Sequence, residues 1–255
     1  MKKVWIKEVN LFNFNGINIT EINTIAFISR LCVIQPYLYK LKINIYLIST
    51  VHKEKGYCTS ENLFEILNKI KPDVVFCEAS PEMFESFKKG LIQSSLELNS
   101  IKKLSKYHSF SFVAIDSYPS PNINFRNKVN VLFDLIEKDK KYKNVWIKNN
   151  ENTHMFGFEY LNSDENIQLF NEMAEREKHI ITQLANLQYK NTYTKWLNFH
   201  DNRENEMLEN INSYVANNEL EKAVFLCGSA HRKSILNKIK EKNNIQIRWY
   251  FELPK

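Results

Sequence analysis

Four short apolar runs, 43–49 (INIYLIS), 73–78 (DVVFCE), 110–116 (FSFVAID) and 222–229 (KAVFLCGS), constrain the fold most strongly. A strand with one wet face alternates polar and apolar side chains. These runs of β-branched, aromatic and aliphatic residues largely do not, which predicts strands buried on both faces, as in a parallel sheet covered by helices. Between the first two runs, Thr59-Ser60-Glu61 supplies a cap and an acidic first turn. Leu63, Phe64, Ile66, Leu67 and Ile70 then recur at helical spacing, and Pro72 forces the chain back to extended structure. Strand, helix, short turn and strand make a βαβ unit. The predicted fold class is α/β, with a mostly parallel central sheet flanked by helices.

The rest of the chain fills in around that unit. Ser80-Pro81-Glu82 opens a helix carrying Met83, Phe84 and Phe87, which breaks near Gly90, and a second segment runs through Leu104. Pro119 and Pro121 mark a loop, and Val129 to Ile136 reads as an amphipathic helix. Residues 144–162 fit neither periodicity. A long helix is predicted over 165–188, others over 201–217 and 232–242, and a last strand over 245–253. In domain terms, 1–42 is an N-terminal extension, with a strand or hairpin over 4–14 and a helix over 21–38. Residues 43–255 are the α/β domain, with 151–200 a helical insertion before the last apolar run.

Composition narrows the function classes. The net charge is +6, but the basic residues are scattered. The densest run, KDKKYK at 138–143, reads as the solvated end of a helix. A nucleic-acid footprint needs a basic face, so no nucleic acid is expected as a partner. Cys32, Cys58, Cys77 and Cys227 have no CxxC spacing, and two of them sit inside apolar runs. They predict buried thiols in a reducing, cytoplasmic setting. MKKVWIKEVN is not followed by the apolar core of a signal peptide, and Arg30, Gln35, Pro36, Lys40 and Lys42 interrupt 25–48, so no membrane span is expected.

Each apolar run delivers a titratable residue at its C-terminal edge. The first leads into Thr50-Val51-His52, the second ends in Glu78, the third in Asp116, and the fourth runs through Gly228-Ser229-Ala230 to His231. Parallel strands lie about 5 Å apart, so these ends stand side by side. Open α/β sheets bind ligands at that edge. Two imidazoles and two carboxylates there form a set with metal-ligand chemistry. The helix after His231 turns its N-terminus toward the same place, which favours an anion or a developing oxyanion.

With IYLISTVHKE, KPDVVFCEAS, NRENEM (202–207) and VFLCGSAHRKSI in this order, the chain resembles the TraB/PrgY/TIKI superfamily, whose wider clan includes erythromycin esterase-like (EreA-like) and ChaN-like proteins. The family pattern is a G-x-x-H, a strand ending in Glu, an Arg-bearing R-[DE]-x-x-[ML] helix and a second G-x-x-H. The match spans 43–242 and departs at Ser49, where the pattern has Gly. The resemblance implies that His52, Glu78, Arg203 and His231 matter. It also implies a metal-dependent hydrolase, cleaving peptide bonds in the TIKI branch and esters elsewhere.

The expected chemistry is hydrolysis of an amide or ester of a peptide or small-molecule substrate. His52 and His231 would bind a divalent metal (zinc, manganese or cobalt), with Glu78 a third ligand or the general base. Arg203 would meet the oxyanion, and Asp116 would orient a histidine. Three other readings use the same residues: metal-free His/Glu acid–base hydrolysis, a non-catalytic protein that sequesters a peptide or small ligand, and a module of a larger assembly such as a defence system. A homo-oligomer or a partner protein is compatible with each. His200 is a candidate extra ligand. Glu204 and Glu206 read as solvent-facing, and His108, His154 and His179 as surface or satisfied core residues.

Overall fold

A computed structural model of the chain describes residues 42–89, 95–242 and 244–254. The strand, hairpin and helix expected over 4–38 lie outside the described residues. Among the described residues five strands form one all-parallel sheet: β1 (Ile43–Thr50), β2 (Val74–Cys77), β3 (Ser111–Ala114), β4 (Lys222–Gly228) and β5 (Ile247–Tyr250), in the spatial order β3-β2-β4-β1-β5. The α/β expectation is met. Among the described residues eight helices flank the sheet: α1 (Ser60–Ile70), α2 (Pro81–Lys88), α3 (Leu96–Leu104), α4 (Ile123–Ile136), α5 (Lys140–Leu161), α6 (Asp164–Gln183), α7 (Leu187–Asn217) and α8 (Arg232–Lys242). None of them, among the described residues, is long and apolar enough to cross a membrane.

The lack of alternation in the apolar runs has its cause in two cores. Ile45, Leu47, Phe76, Ala223 and Phe225 face one way, onto Met207, Leu208 and Ile211 of α7 and Ile235 of α8. Ile48, Val75, Val224 and Leu226 face the other way, onto Leu63 and Leu67 of α1, Leu104 of α3 and Phe158 and Leu161 of α5. Successive strand residues point to opposite faces, so a strand covered on both sides must be apolar at every position. The third run departs from this. Ser111 is exposed and Phe112, Val113 and Ala114 are only half-buried, because β3 is an edge strand.

Caps set most helix starts. Thr59 accepts from Asn62 N (3.1 Å) at α1, Ser95 from Leu98 N at α3, Asp139 from Tyr142 N at α5 and Ser163 from Asn166 N at α6. α1 ends on Lys71 in the left-handed region (φ 52°), just before Pro72. The run 138–143 is the N-terminal end of α5, with Asp139 its cap and its lysines exposed. The insertion between β3 and β4 is larger than 151–200. It comprises α4 to α7, and those expected limits cut through α5 and α7. The error came from 144–162. That stretch is the body of α5, whose periodicity is broken by a non-helical Gly157 (φ 56°, ψ −134°).

Gly157 has a reason to be glycine. A Cβ there would lie 2.8 Å from the carbonyl oxygen of Tyr57, and a Cβ on Gly56 (φ 53°) would lie 2.1 Å from that of His154. The two glycines let the loop after β1, which carries His52, seat against the kink of α5, with Tyr57 N–H donating to His154 O (3.0 Å). Gly157→Ala is expected to cost about 1–3 kcal/mol, because the backbone conformation is nearly restricted to glycine. It should also speed proteolysis of the 52–58 loop. Urea unfolding and limited proteolysis check this, and a variant as stable and as resistant as the parent would refute it.

Candidate functional site

The strand order decides which ends meet. β4 inserts between β1 and β2, so the turn bearing His231 lies between the strand ends that lead to His52 and Glu78, while Asp116 is one strand further along. A short 3-10 turn, Ser229–His231, follows β4 directly and hands the chain to α8. Arg203 reaches the same edge from the middle of α7.

Arg203 is the centre of the cluster. Its Nη2 donates to Glu78 Oε1 at 2.6 Å and lies 2.7 Å from Asp116 Oδ2, while Nε donates to Asp116 Oδ2 at 2.9 Å. Its Nη1 lies 3.4 Å from His231 Nε2. The other Glu78 oxygen accepts from Gly228 N at 2.7 Å. On the far side of the His231 ring, Nδ1 lies 2.7 Å from Glu204 Oε1, and Nε2 lies 3.4 Å from Glu78 Oε1. Glu204 is anchored by the Ser234 hydroxyl and by Lys238 at 3.6 Å.

These contacts fix the charge states. Burial alone would raise the Glu78 carboxyl, but His231, Arg203 and the Gly228 N–H outweigh it and hold the group down to about 2. Burial would lower His231, but Glu204 and Glu78 outweigh it and raise the imidazole to about 9. His231 is therefore an imidazolium at neutral pH and a donor at both nitrogens. His200 is the opposite case. Burial, then His231 and Arg203, push it down to about 4, so its ring is neutral.

His52 stands apart from this core. Its side chain is 67% exposed, and Nδ1 lies 3.3 Å from Glu97 Oε1. Glu97, in the first turn of α3, is 5% exposed at its side chain and also accepts from the Thr50 hydroxyl at 2.8 Å. Leu96 N–H donates to His52 O (3.2 Å), which pins the start of α3 to this loop. The hydrogen bond to Glu97 raises the His52 pKa, with smaller contributions from the nearby Glu78 charge. The result is a carboxylate–imidazole pair in which the carboxylate is buried and the imidazole largely exposed.

The structure brings Glu78, Asp116, Arg203 and His231 into one cluster and leaves His52 at its edge. Asp116, expected beside a histidine, contacts Arg203, and the carboxylate at His231 Nδ1 is that of Glu204. Expected in solvent, Glu204 is instead 4% exposed. Glu206 does sit near the surface, on the Ser117 hydroxyl. Glu97 and Arg232 went unnoticed. Glu97 reads as an ordinary acidic first turn behind Ser95. Arg232 reads as a surface base at a helix start, yet it is 3% exposed and donates to the carbonyl oxygens of Leu47 (3.4 Å), Asn162 (3.1 Å) and Phe251 (2.5 Å). It also meets Ser49 Oγ at 3.3 Å. Ser49, the departure in the first motif, is thus a buried hydroxyl with a partner, and its N–H donates to Asn162 Oδ1 at 2.8 Å.

A metal does not fit the donors as they stand. Among the described residues no three His, Cys, Asp or Glu side chains are placed to hold one. Both Glu78 oxygens are taken, and the guanidinium of Arg203 already occupies the point on which Glu78, Asp116 and His231 converge. A dication there would face a fixed positive charge at contact distance. Comparison with family models, with curated proteins and with solved structures finds no match.

Proposed function

We propose that the chain is a distant member of the TraB/PrgY/TIKI superfamily and hydrolyses an ester or amide bond by fixed-charge and acid–base catalysis. The observation that carries the reading is the pair of cations, Arg203 and His231, held by buried carboxylates so that Nη1 and Nε2 lie side by side at the C-terminal edge of the sheet. Preorganised donors of this kind stabilise an oxyanion without reorganising during the reaction. His52 supplies the proton transfer. Glu97 holds its Nδ1, so Nε2 takes a proton from water as the water oxygen attacks the substrate carbonyl carbon. The carbonyl π electrons move onto oxygen, beside Arg203 and His231. When the tetrahedral intermediate collapses, the bond to the leaving oxygen or nitrogen breaks, and His52 returns the proton to it. Glu78, Asp116 and Glu204 are positioning residues.

The experiment is turnover of p-nitrophenyl butyrate and of a peptide anilide by the purified chain. His52→Ala is expected to lower kcat/KM at least about a hundredfold, with the fold intact by circular dichroism. Chelator treatment is expected to leave the rate unchanged. No turnover of either substrate class, or equal turnover by His52→Ala, would sink the reading.

A further inference from the structure

β5 pairs with β1 only over Ile43–Tyr46. Past Tyr46, side chains complete the edge of β1. Ser49 N–H donates to Asn162 Oδ1 (2.8 Å), Asn162 Nδ2 donates to Ser49 O (3.3 Å), and Arg232 Nη1 donates to Leu47 O (3.4 Å). The same guanidinium donates to Ser49 Oγ (3.3 Å), to Asn162 Oδ1 (3.0 Å) and O (3.1 Å), and to Phe251 O (2.5 Å). It ties the first residue of α8 to the end of β1, to the junction of α5 with α6 and to the segment after β5.

Stability alone does not account for an arginine here. Arg232 is 3% exposed, these acceptors are all neutral, and its Nε has no hydrogen-bond partner. Burying a cation without a carboxylate is costly, and an apolar side chain would avoid that cost. The N-terminal end of a helix is also the less favourable end for a positive charge. What the guanidinium supplies is geometry, because its planar fork reaches acceptors on separate segments at once.

That geometry bears on the site. The β1–β4 ladder ends with Thr50 opposite Gly228. Both site histidines lie beyond it, His52 on a loop and His231 in the short 3-10 turn, which has no side-chain cap. The residue that follows His231 is the one that returns to β1. Ser49, where the motif pattern has Gly, gives it an acceptor there. We propose that Arg232 is a positioning residue that fixes His231, and with it the Arg203–His231 donor pair, relative to the end of β1 that leads to His52. Its effect on turnover rests on the hydrolase reading, whereas its placing of His231 does not.

The test uses the full chain with isotope-labelled histidine, observed by NMR, and His231→Asn assigns the signals. In the parent, the His231 Nδ1–H proton donated to Glu204 is expected to exchange with water slowly enough to be seen. Arg232→Met should broaden or remove that signal and lower kcat about a hundredfold with little change in KM. Arg232→Lys keeps the charge but not the fork, so it should weaken the signal and lower kcat about tenfold. Ile136→Ala, in the separate core of α4, α5, α6 and α7, controls for lost stability and should keep both. No such signal in the parent, a signal in either Arg232 variant equal to the parent's, or its loss in Ile136→Ala would overturn the proposal. An unchanged signal with the parent turning over an ester or amide would remove the positioning role and leave the hydrolase reading standing. Loss of the signal on replacing Arg232, with no substrate turned over by the parent, would support the positioning role and remove that reading.

Discussion

Arg203→Met is expected to cost about 3–5 kcal/mol of unfolding free energy, a large part of a typical domain's stability. Arg203 compensates two carboxylates at once. The Glu78 and Asp116 side chains are 5% and 13% exposed, and Asp116 Oδ1 has no hydrogen-bond partner. Methionine fills the volume but leaves those charges facing one another in a poorly solvated place. Catalysis should fall as well, by about a thousandfold in kcat, because the guanidinium is one of the two oxyanion donors. Glu78→Gln in the Arg203→Met background should regain part of the lost stability, giving a coupling of about 1–3 kcal/mol. Urea denaturation of the four proteins in this cycle measures it. A loss below about 1 kcal/mol for Arg203→Met, or additive effects in the double variant, would mean that Arg203 is a solvated surface residue and that the site is wrongly drawn.

That cycle depends on contacts that the sequence discloses only in part. The strand ends were legible, because a run buried on both faces must stop where polar chemistry begins. Glu78 and His231 stand out for this reason. The partners that arrive from helices were harder. Glu204 follows Arg203 in a charged stretch, and only the direction of its side chain separates a core carboxylate from a wet one. That direction is set by where α7 crosses the sheet. α7 begins at Leu187, fourteen residues before the 201 start expected from its pattern, because its first half buries only Thr192 and Tyr193 and so carries no regular core stripe. Gly157 hid α5 in the same way. A kink that accepts a loop erases the periodicity by which a helix is recognised. Arg232 is the extreme case. A buried guanidinium bound to carbonyl oxygens, without a carboxylate partner, has no sequence signature distinct from that of a surface arginine.

The unfolding free energy is expected to peak near pH 6.5, and Glu204→Gln should flatten its basic side. His231 goes from an ordinary 6.5 when unfolded to about 9 when folded. A raised folded pKa gives stability that is fully present below 6.5 and is lost as pH rises through 9. Two and a half units at about 1.4 kcal/mol each put that loss on the order of 3 kcal/mol. His52, raised by Glu97, has the same sign. His200 has the opposite sign. It is lowered from 6.5 to about 4, so the unfolded chain takes up a proton first and stability falls as pH drops across that window. Glu78, lowered from 4.5 to about 2, adds a further loss below 4.5. The peak therefore sits where one imidazole is still charged and the other still neutral. Glu204→Gln removes the carboxylate at His231 Nδ1 and moves the folded His231 pKa back toward 6.5, so less stability remains to be lost on the basic side. Urea midpoints between pH 4 and pH 9.5 for both proteins decide the matter. A wild-type curve that is flat from 6.5 to 9.5, or a Glu204→Gln curve with the same basic slope as wild type, would mean that His231 is not held as an imidazolium and would remove it as a donor to the oxyanion.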